Sequence, residues 1–171
     1  AHTMKTFFYV CTTMVNTFTV DGRDISLSLK TNKTDTFIGH VYETDIKEGE
    51  TFGIHKLAGY VTSFNHEKDN LMDAANSVLD KATEIGYDGL LKMQQDAWAE
   101  TWAMSDINIA GDVKAQQGIR FNIFQLNQTY SGKDSRLNIG PKGFTGEKYG
   151  GSNYWDTEAY CIPFYMATKD Q

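Results

Sequence analysis

The spacing of apolar residues along the chain changes character near residue 66. Up to residue 64 the period is that of strands. Phe7, Tyr9 and Cys11 alternate with Phe8, Val10 and Thr12, and β-branched and aromatic side chains dominate. Residues 17–20, the pair Asp21-Gly22 and residues 24–29 predict a hairpin about a glycine-containing turn. In its second arm Ile25, Leu27 and Leu29 share one face, with Ser26 and Ser28 on the other. Residues 30–35 read as a polar turn and 37–45 as a strand. Residues 47–50 read as a turn, and 51–65 as a long strand or a pair. This is an antiparallel sheet, half of a sandwich.

From residue 65 the period becomes helical. Leu71, Ala75, Val78, Ala82 and Ile85 form one apolar stripe, and Gly86 fits a C-terminal stop. Asp88 fits the N-cap of a second helix that carries Leu91, Ala97, Trp98 and Trp102. Residues 105–110 read as an extended connector. Gly111-Asp112 then opens a third helix with Ile119, Ile123, Leu126 and Tyr130 on one side. Residues 131–153 are glycine-rich and aperiodic, 23 positions in all, and loops of that length are functional or disordered. Residues 154–167 return to a helical pattern, with Pro163 as a kink. The chain is therefore α+β, an antiparallel sheet followed by helices, with no internal repeat.

Composition narrows the function classes. The chain has 171 residues and a net charge of -6, which argues against a nucleic-acid or anionic-membrane partner. Aromatics reach 13%, which suits a sugar-binding surface or a large core equally well. No apolar run is long enough to span a bilayer. Cys11 and Cys161 stand far apart, so the expected compartment is reducing and cytoplasmic, without disulfides. The sequons at Asn32 and Asn127 then carry no meaning, the second lying in a predicted helix.

Familiar chemical motifs are missing. Residues 140–151 hold five glycines, Lys142 and Lys148, yet fit neither phosphate-binding glycine pattern. His2, His40, His55 and His66 lie in or beside strands without metal-ligand spacing, so no metal is expected. Trp98 and Trp102, four apart, read as core packing between helices. Arg120 could anchor a carboxylate such as Asp106 or Asp156, or reach solvent. What remains is the run Tyr154-Trp155-Asp156-Thr157-Glu158 after the glycine-rich loop. A Trp beside a carboxylate suits a sugar: the ring covers an apolar face and the carboxylate accepts from two hydroxyls. Asp156 and Glu158 diverge on a helix, so they do not form an acid/base pair by themselves. They could equally be acidic residues complementing a helix N-terminus.

Two stretches carry a resemblance. Ala97-Trp98, Trp102, Ser105-Asp106-Ile107, Gly111-Asp112, residues 116–122 (QQGIRFN) and Phe124-Gln125-Leu126 resemble the entry to the catalytic domain of glycoside hydrolase family 65. Residues 136–151 (RLNIGPKGFTGEKYGG), followed by Tyr154-Trp155-Asp156-Thr157-Glu158, are closer still to its maltose phosphorylases. The likeness is dense over 97–168 and looser over 1–96. It implies a chain that ends a β-sandwich (1–66), passes through a helical linker (67–110) and begins an (α/α)6 barrel (111–171).

The resemblance also implies a reaction. The family cleaves α-glucosides with inorganic phosphate and inversion, giving β-glucose 1-phosphate, and needs no metal or other cofactor. One carboxylic acid protonates the leaving oxygen, and phosphate stands where an inverting hydrolase activates water. Carried over, Trp155 and Asp156 bind the glucosyl unit, and Lys142, Glu147, Tyr154 and Glu158 form a wall of the site. The family's acid lies in a later Asn-Glu-Trp-Glu motif, and its phosphate loop later still; neither occurs among these residues. The expectation is an internal piece of a longer enzyme, inactive alone, whose intact relatives are homodimers acting on a disaccharide and phosphate. A piece of that kind would expose Ile119, Phe124 and Phe164 and self-associate. The competing expectations are a non-catalytic carbohydrate-binding or interaction fragment, and part of a hydrolytic, trehalase-type relative.

Overall fold

An eleven-residue strand, β1 (Val10–Val20), pairs antiparallel with β5 (Phe52–Thr62) along its whole length, from Val10↔Thr62 to Val20↔Phe52. The computed structural model describes residues 1–4, 6–143 and 151–169. They fall into two compact units, Ala1–Lys92 and Met93–Gln171.

In the first unit β1 turns into β2 (Arg23–Ile25) through Asp21 and Gly22. Both have positive φ, 49° and 74°. That pair of angles makes the tight two-residue turn whose twist matches the flanking strands, and Asp-Gly is among its favoured sequences. The predicted hairpin is present, with a second arm that stops at Ile25. The sheet order is β2-β1-β5, and residues 51–65 contribute a single strand.

One expectation is overturned. Residues 30–35 are not simply a polar turn. β3 (Lys30–Lys33) pairs antiparallel with β4 (Ile38–Val41) in a separate two-stranded sheet. The turn lies between them, closed by the Thr34 N–H donating to the Phe37 carbonyl at 2.8 Å. All four β3 side chains are exposed, so the strand carries no apolar alternation. At the N-terminus β1 begins only at Val10; Phe7 has a φ of 56° and is exposed.

Helix α1 (Leu71–Ser105) supplies the other side of this unit's core. Leu71 and Ala75 pack with Val61, flanked by Tyr9, Cys11 and Ala74. Gly59 is where sheet and helix come closest: a Cβ there would meet Thr13 Oγ1 at 3.1 Å and Val78 Cγ1 at 3.6 Å. The Thr13 hydroxyl donates to the Ala75 carbonyl at 3.3 Å across the same gap. A second cluster is aromatic, with the Phe18 ring 4.5 Å from Tyr42 and 6.0 Å from Phe52. The apolar stripe of α1 fades along its length: Val78 and Ile85 are exposed. Gly86, at φ 73° and ψ 173°, breaks the helix where the sequence predicts a stop.

The second unit holds the end of α1 and α2 (Val113–Thr129). Asp112 caps α2, its carboxylate accepting from the Ala115 N–H at 3.0 Å. Trp98 lies 6.1 Å from Trp102 and 5.0 Å from Phe124, ring to ring, so these tryptophans pack between helices as read from the sequence. Arg120 pairs with Asp106 through two bonds of 2.9 and 2.6 Å, tying α2 to the connector. Gln116 holds the same connector at both ends, accepting from the Ile109 N–H and donating to the Ile107 carbonyl. Among buried polar groups, the Asn127 amide donates to Ser105 Oγ and the Ile123 carbonyl, and its oxygen accepts from Lys169 Nζ. The named apolar faces of Ile119, Phe124 and Phe164 are half-buried rather than exposed. Phe121, Tyr160 and Met166 are exposed instead. Among the described residues no helix is long and apolar enough to cross a membrane.

Candidate functional site

The helical run that ends the described chain starts at Trp155. Its middle is a π turn, Thr157–Cys161, and its end is α3 (Ile162–Thr168). Pro163 explains the wide turn. It lacks the N–H that an α-helix would bond back to residue 159, and its ring crowds that carbonyl. The π turn immediately before it takes up the difference, with the Ile162 N–H reaching the Thr157 carbonyl. The expected kink is thus a local widening of the helix.

Trp155 and Asp156 sit at the first positions of this run. The indole is 85% exposed and the carboxylate beside it is exposed as well. Glu158 is exposed in the first turn, where it also complements the helix dipole. Tyr154, just before the helix, is 42% exposed, and its carbonyl accepts from the Thr157 N–H at 2.9 Å. Lys142 is exposed on the other stem of the loop, in the turn closed by the Gly143 N–H and the Gly140 carbonyl. Glu147 lies outside the described residues.

The two stems of the glycine-rich loop are joined at their base. Asn138 Nδ2 donates to the Gly151 carbonyl at 2.5 Å and to Asn153 Oδ1 at 2.9 Å. Thr157 Oγ1 donates to the Ile139 carbonyl at 2.9 Å, and Thr157 is 2% exposed. Between these bonds, a Cβ on Gly140 would stand 3.5 Å from the Gly151 carbonyl oxygen. Sequence reasoning singled out neither Asn138 nor Thr157. The one signal was their membership of the second stretch that carries the resemblance, residues 136–151 followed by 154–158.

Charge near this turn is legible in its neighbours. Burial, and then the negative charge of Asp156, push the Cys161 thiol up. Both cysteines are free; Cys161 is buried and Cys11 half-buried. A cavity of about 450 Å³ opens nearby, with Met104, Tyr130, Lys133, Ile139, Tyr165 and Lys169 among its lining. Burial pushes the Tyr165 phenol up to about 12, and its hydroxyl donates to the Leu126 carbonyl at 2.7 Å. Burial, and then the charge of Lys133, lower the Lys169 ammonium. Trp155 and Asp156 do not line this cavity; Ile139, gripped by Thr157, is the shared element.

Comparison with known proteins gives two family matches. Residues 1–101 match the model for the glycosyl hydrolase family 65 N-terminal domain. Residues 120–171 match the model for the glycosyl hydrolase family 65 central catalytic domain. The chain is 44% identical over 151 residues to a maltose phosphorylase of Bacillus subtilis (strain 168), covering 84% of this chain and 20% of that protein. It is 31% identical over 166 residues to an alpha,alpha-trehalose phosphorylase of Thermoanaerobacter brockii, covering 96% and 21%. It is 37% identical over 117 residues to a kojibiose phosphorylase of Caldanaerobacter subterraneus subsp. tengcongensis, covering 68% and 15%. The matches cover 15–21% of the length of these relatives.

Proposed function

Because the chain belongs to glycosyl hydrolase family 65, we propose that it is part of an inverting disaccharide phosphorylase, with maltose as the disaccharide. The observation that carries the site is Trp155, 85% exposed beside Asp156 on a turn braced from below. The face of an exposed indole is the surface an apolar sugar ring covers. Asp156 accepts hydrogen bonds from two hydroxyls of the same glucosyl unit. Lys142, Tyr154 and Glu158, together with Glu147 outside the described residues, are assigned to a wall of the sugar site by the family resemblance. The choice of maltose is supported by the 44% identity to a maltose phosphorylase, against 31% and 37% to the trehalose and kojibiose enzymes.

In this reading a carboxylic acid from outside these residues protonates the glycosidic oxygen. Phosphate attacks the anomeric carbon from the opposite face. The C–O bond to the leaving sugar breaks, the new bond to phosphate forms with inversion, and the products are β-glucose 1-phosphate and glucose. Phosphate is the co-substrate, and neither metal nor organic cofactor takes part. Residues 1–66 close the β-sandwich domain, 67–110 are the linker and 111–171 open the catalytic barrel of a homodimeric enzyme.

The test uses a protein that contains this chain in full. It is given inorganic phosphate with maltose, trehalose or kojibiose in turn, and products are followed by phosphorus and proton NMR. The expected result is β-glucose 1-phosphate, formed fastest from maltose, with no such product from residues 1–171 alone. Formation of the α-anomer, or of free glucose without sugar phosphate, overturns the reading; the second outcome identifies a hydrolase.

A further inference from the structure

We propose that Asn138 and Thr157 are positioning residues that hold the Trp155–Asp156 turn in its sugar-binding orientation. The inference rests on the glucosyl-site reading above and deepens it.

Trp155 is 85% exposed, and among the described residues the turn that carries it is held through its backbone. That backbone is fastened at two places. Thr157, two residues along, donates to the Ile139 carbonyl at 2.9 Å and is 2% exposed. Asn138 donates with both amide hydrogens, to the Gly151 carbonyl and to Asn153 Oδ1, at 2.5 and 2.9 Å. The two clamps stand on adjacent residues of one stem, 138 and 139, and bracket the opposite segment from 151 to 157. Gly140 and Gly151 let the stems approach: a Cβ on Gly140 would be 3.5 Å from the Gly151 carbonyl oxygen and 3.7 Å from its Cα. The Tyr154 carbonyl adds a bond within the turn, accepting from the Thr157 N–H at 2.9 Å.

Thr157 thus serves the turn twice, by main chain and by side chain, and its hydroxyl is the part that reaches the other stem. Removing that hydroxyl while keeping its shape leaves the half-buried Ile139 carbonyl without its side-chain donor. The turn then has freedom to rotate, and the indole and carboxylate meet the sugar in fewer of their conformations. The loss is expected in binding, because Asn138 and Thr157 bond protein groups of the two stems and act on the sugar through the turn they hold.

The experiment measures steady-state phosphorolysis of maltose by a protein containing this chain in full. The variants are Thr157→Val, Thr157→Ser, Asn138→Ala, the double Thr157→Val/Asn138→Ala, and Trp155→Ala as a control on the site reading. Expected for Thr157→Val and for Asn138→Ala is a rise in KM for maltose of about tenfold, with kcat within about twofold of the parent. Thr157→Ser returns KM to near the parental value, since the donor is restored. The double variant falls short of the product of the singles, as expected for two clamps on one junction. If Trp155→Ala raises KM while Thr157→Val and Asn138→Ala leave it unchanged, the positioning role is overturned and the site reading stands. If Trp155→Ala itself leaves KM unchanged, the site reading fails. Equal loss in Thr157→Ser and Thr157→Val also overturns the proposal, because it marks packing rather than the hydrogen bond. Should Thr157→Val not fold, Asn138→Ala, at an exposed side chain, decides alone.

Discussion

Replacing Gly86 with alanine gives opposite results depending on whether the helix is broken there. In a continuous helix the change would stabilise, because alanine is favoured over glycine by about 1 kcal/mol in a helix interior. Gly86 instead has φ 73° and ψ 173°, a region that only glycine enters freely. A Cβ at this position would meet nothing within 4 Å, so no steric contact contributes and the cost is purely that of the backbone. Forcing alanine into that conformation costs on the order of 2 kcal/mol. For a chain of this length that corresponds to a Tm lower by roughly 4–8 °C. Gly118 is the internal control. It lies inside α2, and a Cβ there also meets nothing within 4 Å. Its φ is not positive, so Gly118→Ala stabilises by about 0.5–1 kcal/mol. The assay is thermal and urea unfolding of the two variants followed by far-UV circular dichroism. A Gly86→Ala protein as stable as the Gly118→Ala protein refutes the reasoning.

Two further predictions follow from charge and burial. The paired Arg136 guanidinium and the Arg136 N–H lower the Asp134 carboxyl to about 2, below its ordinary 3.8. A depressed folded-state value means that the pair favours the folded form above about pH 4 and that this contribution is lost as pH falls toward 2. NMR titration of the Asp134 carboxyl carbon should give that low midpoint and return toward the ordinary value in Arg136→Gln; an unchanged midpoint in the variant rejects the pairing. For the thiols, Cys161 is buried and its ionisation pushed up, whereas Cys11 is only half-buried. A disulfide reagent at pH 8 should therefore modify Cys11 first and reach Cys161 at a comparable rate only in denaturant, and equal native rates contradict the structure.

What could be read in the sequence was whatever a single short window determines. The Asp21-Gly22 turn needs two positive φ values, and only a few residue types adopt them cheaply, so the hairpin announces itself. Gly86 interrupts an apolar stripe in the same self-evident way. β3 does not, because Lys30, Thr31, Asn32 and Lys33 are all exposed and a strand with no buried face has no hydrophobic period. The clamps at the candidate site are silent for another reason. Thr157 reaches a carbonyl 18 residues away and Asn138 one 13 residues away. Their acceptors are main-chain oxygens, which every residue type carries, so no side-chain pattern at Ile139 or Gly151 records the bond.

The three tryptophans show how burial separates the two kinds of reading. Trp98 and Trp102 sit four apart on α1, with the Trp98 ring 5.0 Å from Phe124. Their spacing is explained by the helix period and their half-burial by the facing helix, which leaves no residual observation for a ligand to account for. Trp155 has no such partner ring among the described residues, where it is 85% exposed. The turn beneath the ring is held by three hydrogen bonds from two side chains. A braced backbone below the ring suits recognition, because a preformed platform avoids the ordering cost that a mobile one would meet on binding. Such a backbone under an accessible indole and carboxylate is the arrangement that the proposed sugar-site reading of Trp155 and Asp156 requires.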